Sequence, residues 1–78
     1  MTKNRFNLQR SNRQQGWWVC TDKVHNIVCR FVEHKFNDTQ DFTLLNGETF
    51  ETVDEALAQV TYLREMTDWL VENHHNKL

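Results

Sequence analysis

Apolar and polar residues alternate near the start of the chain. Phe6 and Leu8 fall on one side and Arg5, Asn7 and Gln9 on the other. A period of two marks a half-buried strand, so Arg5 to Arg10 is a candidate edge strand. Ser11 to Gln15 is wholly polar and predicts a loop. Gly-Trp-Trp-Val-Cys-Thr from Gly16 to Thr21 is rich in aromatic and β-branched residues, which suit a pleated surface. Asp22 to Asn26 carries turn formers at both ends. Ile27 to His34 predicts a second strand of similar composition. Asn37-Asp38-Thr39, within Phe36 to Gln40, predicts another turn. Asp41 to Leu45 predicts a third clear strand, which Asn46-Gly47 ends.

The period then changes. Val53, Ala56, Leu57, Val60, Leu63, Met66, Leu70 and Val71 recur at spacings of three and four. At 100° per residue they form one broad stripe, the signature of an amphipathic helix. Thr52-Val53-Asp54-Glu55 has the form of a capping box. The threonine hydroxyl can accept the N–H three residues on, and Glu55 can reach back. Asp54 and Glu55 also suit the positive end of the helix dipole. Nothing breaks the helix before about Asn73, and His74 and His75 fall where it should fray.

These elements predict an α+β fold: a three- or four-stranded antiparallel meander with one long C-terminal helix packed on one face. That is two layers about one core. The chain has 78 residues, no proline and two glycines, so residues 1–78 read as a single small domain with 1–4 and 74–78 frayed. No apolar run is long enough to span a membrane. Residues 1–13 are polar and basic, unlike a secretory leader. A cytoplasmic location and reduced cysteines are therefore expected.

Gly47-Glu48-Thr49 followed by Val53-Asp54-Glu55-Ala56-Leu57 resembles the entry to the helix in HicB-type antitoxin domains. Those domains also place a hairpin and a third strand before that helix. The resemblance covers the eleven residues from Gly47 to Leu57. The chain lacks the Pro- and Gly-containing stretch between strands and a strand after the helix. The resemblance implies β-β-β-α order and carries no function over.

Cys20, His25, Cys29 and His34 are four nitrogen and sulfur ligand types within fifteen residues. Strand geometry separates them. A hairpin closed about Val24-His25 sets Cys20 opposite Cys29 on one face. His34 has the opposite parity on its strand, and His25 lies in the turn. The two thiols therefore read as small apolar core groups, with a cross-strand disulfide on oxidation as the alternative. Neither a metal nor a cofactor is expected.

The same register puts Trp18, Cys20, Ile27, Cys29 and Phe31 on one face, the expected core side. Trp17, Val19, Thr21, Val28, Arg30 and Val32 share the other. That second face is apolar for a surface, which marks a contact site unless the N-terminal segment folds over it. Tyr62 and Trp69 are seven apart, almost opposite Val60 and Val71 on the helix, and so are expected to face away from the core. Two aromatics in register on a helix back suggest an interface, most simply a two-fold homodimer.

Charge is unevenly divided. Residues 1–35 carry a net of +5 and residues 36–78 a net of −7. Arg5, Arg10, Arg13 and Arg30 could contact phosphates, with Trp17 stacking on a base. The overall net charge of −2 weakens that expectation. The chain has no glycine-rich phosphate loop, no nucleophile beside a base and no His-x-x-x-His helix. The expectation is thus a non-enzymatic interaction module with no evident small-molecule substrate. Its partner is a second copy or another protein, through Trp17, Val19, Val28 and Val32 or through Tyr62 and Trp69. The alternative is a nucleic-acid-binding domain using a basic, aromatic sheet face.

Overall fold

The structure is a computed structural model and describes residues 5–45 and 52–78. Four strands follow in chain order: β1 (Phe6–Arg10), β2 (Trp17–Asp22), β3 (Ile27–Val32) and β4 (Asp41–Leu44). A short helix α1 (Phe36–Thr39) precedes β4, and the long helix α2 (Val53–His74) ends the fold with a 3-10 turn, His75–Lys77. The sheet is an antiparallel meander in the order β1-β2-β3-β4. The fold is the expected α+β arrangement, with the N-terminal strand bringing the sheet to four.

The central hairpin has the expected register. Cys20 pairs with Cys29, Trp18 with Phe31 and Asp22 with Ile27. The tight reversal between them is helped by Asn26 at φ 59°, a left-handed backbone that asparagine tolerates. Gly16 enters β2 at φ 87°. A Cβ there would meet nothing within 4 Å, so backbone conformation rather than space favours glycine.

The core lies on the expected sheet face. Trp18, Cys20, Ile27, Cys29 and Phe31 are buried, with Phe36 of α1 and Met66 and Leu70 of α2 against them. Phe31 and Phe36 meet edge to face at 5.1 Å. Phe6 and Leu8 of β1 join this core from the edge. The N-terminal strand therefore extends the sheet beside β2 instead of folding over its second face.

Three expectations need correction. First, the segment read as a turn at Phe36 to Gln40 is a helical turn, and β3 stops at Val32 rather than His34. His34 adopts φ 66°, which breaks the strand and lets buried Phe36 enter the core. Second, residues 74–78, read as frayed, contact the rest of the fold. His34 N donates to the Lys77 carbonyl at 2.8 Å and Phe36 N to that of Leu78 at 3.1 Å. Leu78 packs on the core, so the C-terminus is held by both backbone and side chain.

Third, α2 is rotated by about a quarter turn from the orientation read from its apolar stripe. Tyr62, Leu63, Met66, Trp69 and Leu70 face the core. Val53, Leu57, Val60 and Val71 are exposed. The aromatic rings offer more area to bury than the valines do, and each finds a ring on the far side. Trp69 meets Phe6 at 5.3 Å, and Tyr62 stacks on His25 at 3.5 Å. The helix begins as expected: Thr52 accepts the Glu55 N–H at 3.0 Å. The Asn46-Gly47 strand stop and the residues quoted from Gly47 to Glu51 lie outside the described residues.

Candidate functional site

The residues expected to form a contact surface fall into two groups, and the structure adds a third. On the second sheet face, Trp17, Val19 and Val32 are half-buried and Val28 is buried. Thr43, paired with Val28, is buried too, and accepts from Arg30 Nη1 at 3.3 Å. This face is therefore a partly covered surface. Tyr62 and Trp69 form the second group and belong to the core side, as described above. Neither faces away from the sheet, so the helix-back interface built on them is withdrawn.

The third group is the apolar row that the stripe left outside. Val53 is 75% exposed, Leu57 62%, Val60 39% and Val71 51%. At 100° per residue these four fall within an arc of about 60°, nearly opposite the residues that meet the sheet. The exposed row and the core-facing row are both apolar, which is why the sequence stripe is so broad. That breadth was the available signal. A stripe spanning about half the helix circumference exceeds what one sheet face can cover. Exposed Arg64 continues the row between Val60 and Val71, and Asp54 and Asp68 flank it.

The arginines also divide. Arg5 is taken by the fold. It donates to the fully buried Asp22 carboxylate, and its Nη2 reaches Glu65 at 2.9 Å. His25 Nδ1 lies 3.1 Å from both Arg5 Nη2 and Asp22 Oδ2. Asp22 also accepts the backbone N–H groups of Val24 and His25 at 2.9 and 3.0 Å. Burial pushes its carboxyl pKa up, but the hydrogen bonds from Arg5, His25 and Val24 outweigh burial and hold it below its ordinary 3.8. This network ties the start of β1, the β2–β3 turn and the middle of α2 together.

Arg10 is also engaged. Its guanidinium lies 4.4 Å over the Trp18 ring and 3.5 Å from Glu33. Trp18 Nε1 donates to the same glutamate at 3.3 Å. Arg13 and Arg30 remain. Among the described residues neither lies within 4.0 Å of a carboxylate, and both border one depression beside the β1–β2 loop. Of the four arginines expected to contact phosphate, the structure brings these two together and assigns the other two to internal pairs.

The cysteines are core groups. Burial pushes the Cys20 and Cys29 thiols up to about 12, so both are neutral at ordinary pH. Both are free. His25 is held in the Asp22 network, and His34 sits at the end of β3. Among the described residues no three His, Cys, Asp or Glu side chains cluster as metal ligands. Nor is any described helix long and apolar enough to cross a membrane.

Compared with protein families, with curated proteins and with solved structures, the chain finds no match in any of the three. The likeness of Gly47–Leu57 to HicB-type helix entries is thus not accompanied by a family assignment.

Proposed function

We propose that the chain is a non-enzymatic interaction module that self-associates as a two-fold pair through the outer row of α2. The observation that carries this reading is the row itself: Val53, Leu57, Val60 and Val71, all exposed on one side of a helix whose other side already fills the core. Isolated exposed apolar side chains are ordinary on a protein surface, but Val53, Leu57 and Val60 form a continuous strip on one azimuth, with Val71 on the same line beyond Arg64. A two-fold contact is self-complementary, so one strip suffices for both partners.

An antiparallel pairing centred between Leu57 and Val60 sets each leucine against the other copy's valine. It also brings Arg64 beside the partner's Asp54, so the charges flanking the strip are complementary. The non-catalytic part of the reading rests on how the reactive groups are used. The thiols are buried and neutral, and Asp22, Arg5 and His25 are locked in one structural network. No cofactor or small-molecule substrate is invoked. Buried free thiols suit a reducing compartment, and a cytoplasmic location belongs to the proposal on that ground.

A dilution series followed by amide NMR tests the location of the contact. The expected result is concentration-dependent shifts at Val53, Leu57, Val60 and Arg64, with Val19 and Val28 unmoved. Shifts confined to the sheet, or none at any concentration, would refute the reading.

A further inference from the structure

The loop between β1 and β2 has a built geometry. Ser11 N donates to the Trp17 carbonyl at 2.9 Å and Trp17 N to that of Gln14 at 3.3 Å, which closes the loop. The Ser11 hydroxyl oxygen accepts the N–H groups of Arg13 and Gln14, each at 3.2 Å. With its lone pairs so used, that hydroxyl keeps its proton free to donate outward.

Beside this loop lies an open depression of about 220 Å³. Gln9, Ser11, Asn12, Arg13, Val19 and Arg30 line it, and among the described residues no carboxylate does. Arg10 also borders it, but its guanidinium is held over Trp18 and near Glu33. The lining thus offers two guanidiniums without an acidic partner, two side-chain amides and a hydroxyl. Asp41, opposite Arg30 in the β3–β4 register, forms no ion pair with it. Thr43 holds the Arg30 guanidinium at 3.3 Å, which limits its freedom before any ligand arrives.

From this arrangement we infer that the depression binds a phosphate group. A tetrahedral oxyanion presents several acceptors at once, and the lining supplies side-chain donors from three elements: β1, the loop and β3. Guanidiniums match phosphate oxygens in planar, charge-assisted pairs. Among the described residues no carboxylate lines the walls, and Asp41, opposite Arg30 on β4, stands outside the lining. The depression is open to solvent, so recognition is of an exposed phosphate and not of an enclosed ligand. Half-buried Trp17, on the same sheet face as Val19 and Arg30, lies where the remainder of a phosphorylated ligand would extend. The site is separate from the outer row of α2, and neither proposal depends on the other.

The test is an amide NMR titration with sodium phosphate against sodium chloride at matched ionic strength. Saturable shifts at Ser11, Asn12, Arg13 and Arg30 are expected with phosphate only. Arg13→Gln and Arg30→Gln should each weaken binding about tenfold, because each removes a charged donor. Lys35→Gln, outside the lining, should leave binding unchanged. Spectral dispersion shows whether each variant is folded. Should Arg30→Gln unfold, Arg13→Gln on the exposed loop still decides the matter. Shifts that do not saturate, that chloride reproduces, or that persist unchanged in Arg13→Gln would overturn the proposal.

Two further arms distinguish sources of the phosphate. A nucleoside monophosphate and a short single-stranded oligonucleotide are titrated under the same conditions. Tighter binding of the oligonucleotide, with Trp17 perturbed and affinity falling steeply with salt, assigns the site to a nucleic-acid backbone. Equal or tighter binding of the monophosphate assigns it to a small phosphorylated ligand.

Discussion

The Arg5 guanidinium donates to the buried Asp22 carboxylate from Nε at 3.2 Å and from Nη2 at 3.0 Å, both to Oδ2. The two residues stand at the same end of the β1–β2 pair, where Lys23 N also donates to the Arg5 carbonyl at 2.8 Å. Asp22 is fully buried, yet Arg5, His25 and the Val24 and His25 amides surround it with donors. Among the described residues no buried side-chain nitrogen or oxygen lacks a partner. The pair is therefore paired and hydrogen-bonded, as a buried charge must be.

Removing one member leaves the other without compensation. Asp22→Ala should lower unfolding stability by about 3 kcal/mol, because Arg5 and two backbone N–H groups lose their acceptor. Urea denaturation at neutral pH measures this. A loss below about 0.5 kcal/mol, the range of an ordinary surface change, would contradict the role given to the pair.

The same contact sets an acid dependence. The folded Asp22 pKa is lowered, with burial opposing and the Arg5, His25 and Val24 hydrogen bonds prevailing. A lowered folded pKa means that the unfolded chain takes up a proton first as pH falls. The contribution is therefore complete above the ordinary unfolded value of 3.8. It is lost as pH drops from there through the lower folded value. Urea midpoints should fall across this window more steeply in the wild type than in Asp22→Asn. Parallel slopes would show that the carboxyl is not held low.

Thiol chemistry tests the core. Cys20 and Cys29 pair across the strands with both thiols pushed up to about 12 by burial. Only thiolate reacts quickly, so native protein should resist Ellman's reagent at neutral pH. Two thiols should appear on unfolding. Prompt modification of the native protein would contradict the placement of both residues in the core.

The rotation of α2 makes a prediction about Trp69. Its ring packs on Phe6 at 5.3 Å and His74 at 4.9 Å, half-buried against the sheet. Trp69→Ala should cost about 2 kcal/mol of stability, below the range for a fully buried tryptophan. The variant that remains folded should keep the oligomeric state of the wild type. An unchanged melting temperature together with a lowered mass would return Trp69 to the outer surface.

What could be read from the residues was local. The turn between Asp22 and Asn26 fixed the pairing of Cys20 with Cys29, because parity alone then sorts both strands by face. The Thr52 cap needed only its neighbour three residues on. The face that α2 turns to the sheet was not local. Val60 and Tyr62 both suit burial, and the choice rests on His25 and Phe6 waiting across the interface. Likewise nothing in the spacing of Arg5, Asp22 and Glu65 announced that they meet, since the tertiary fold alone brings them together. Half of the expected phosphate set was lost for that reason, and the Val53–Leu57–Val60 row stayed hidden within an apparently single stripe.

The central claim is that this row joins two copies, and light scattering on a sizing column tests it most directly. The wild type is run from micromolar to millimolar concentration beside Leu57→Glu, whose fold is checked by circular dichroism. The account predicts a wild-type mass rising toward twice 9.4 kDa, with folded Leu57→Glu remaining at 9.4 kDa throughout. A wild type that stays at 9.4 kDa over the whole range, or a folded Leu57→Glu that associates as the wild type does, would contradict it.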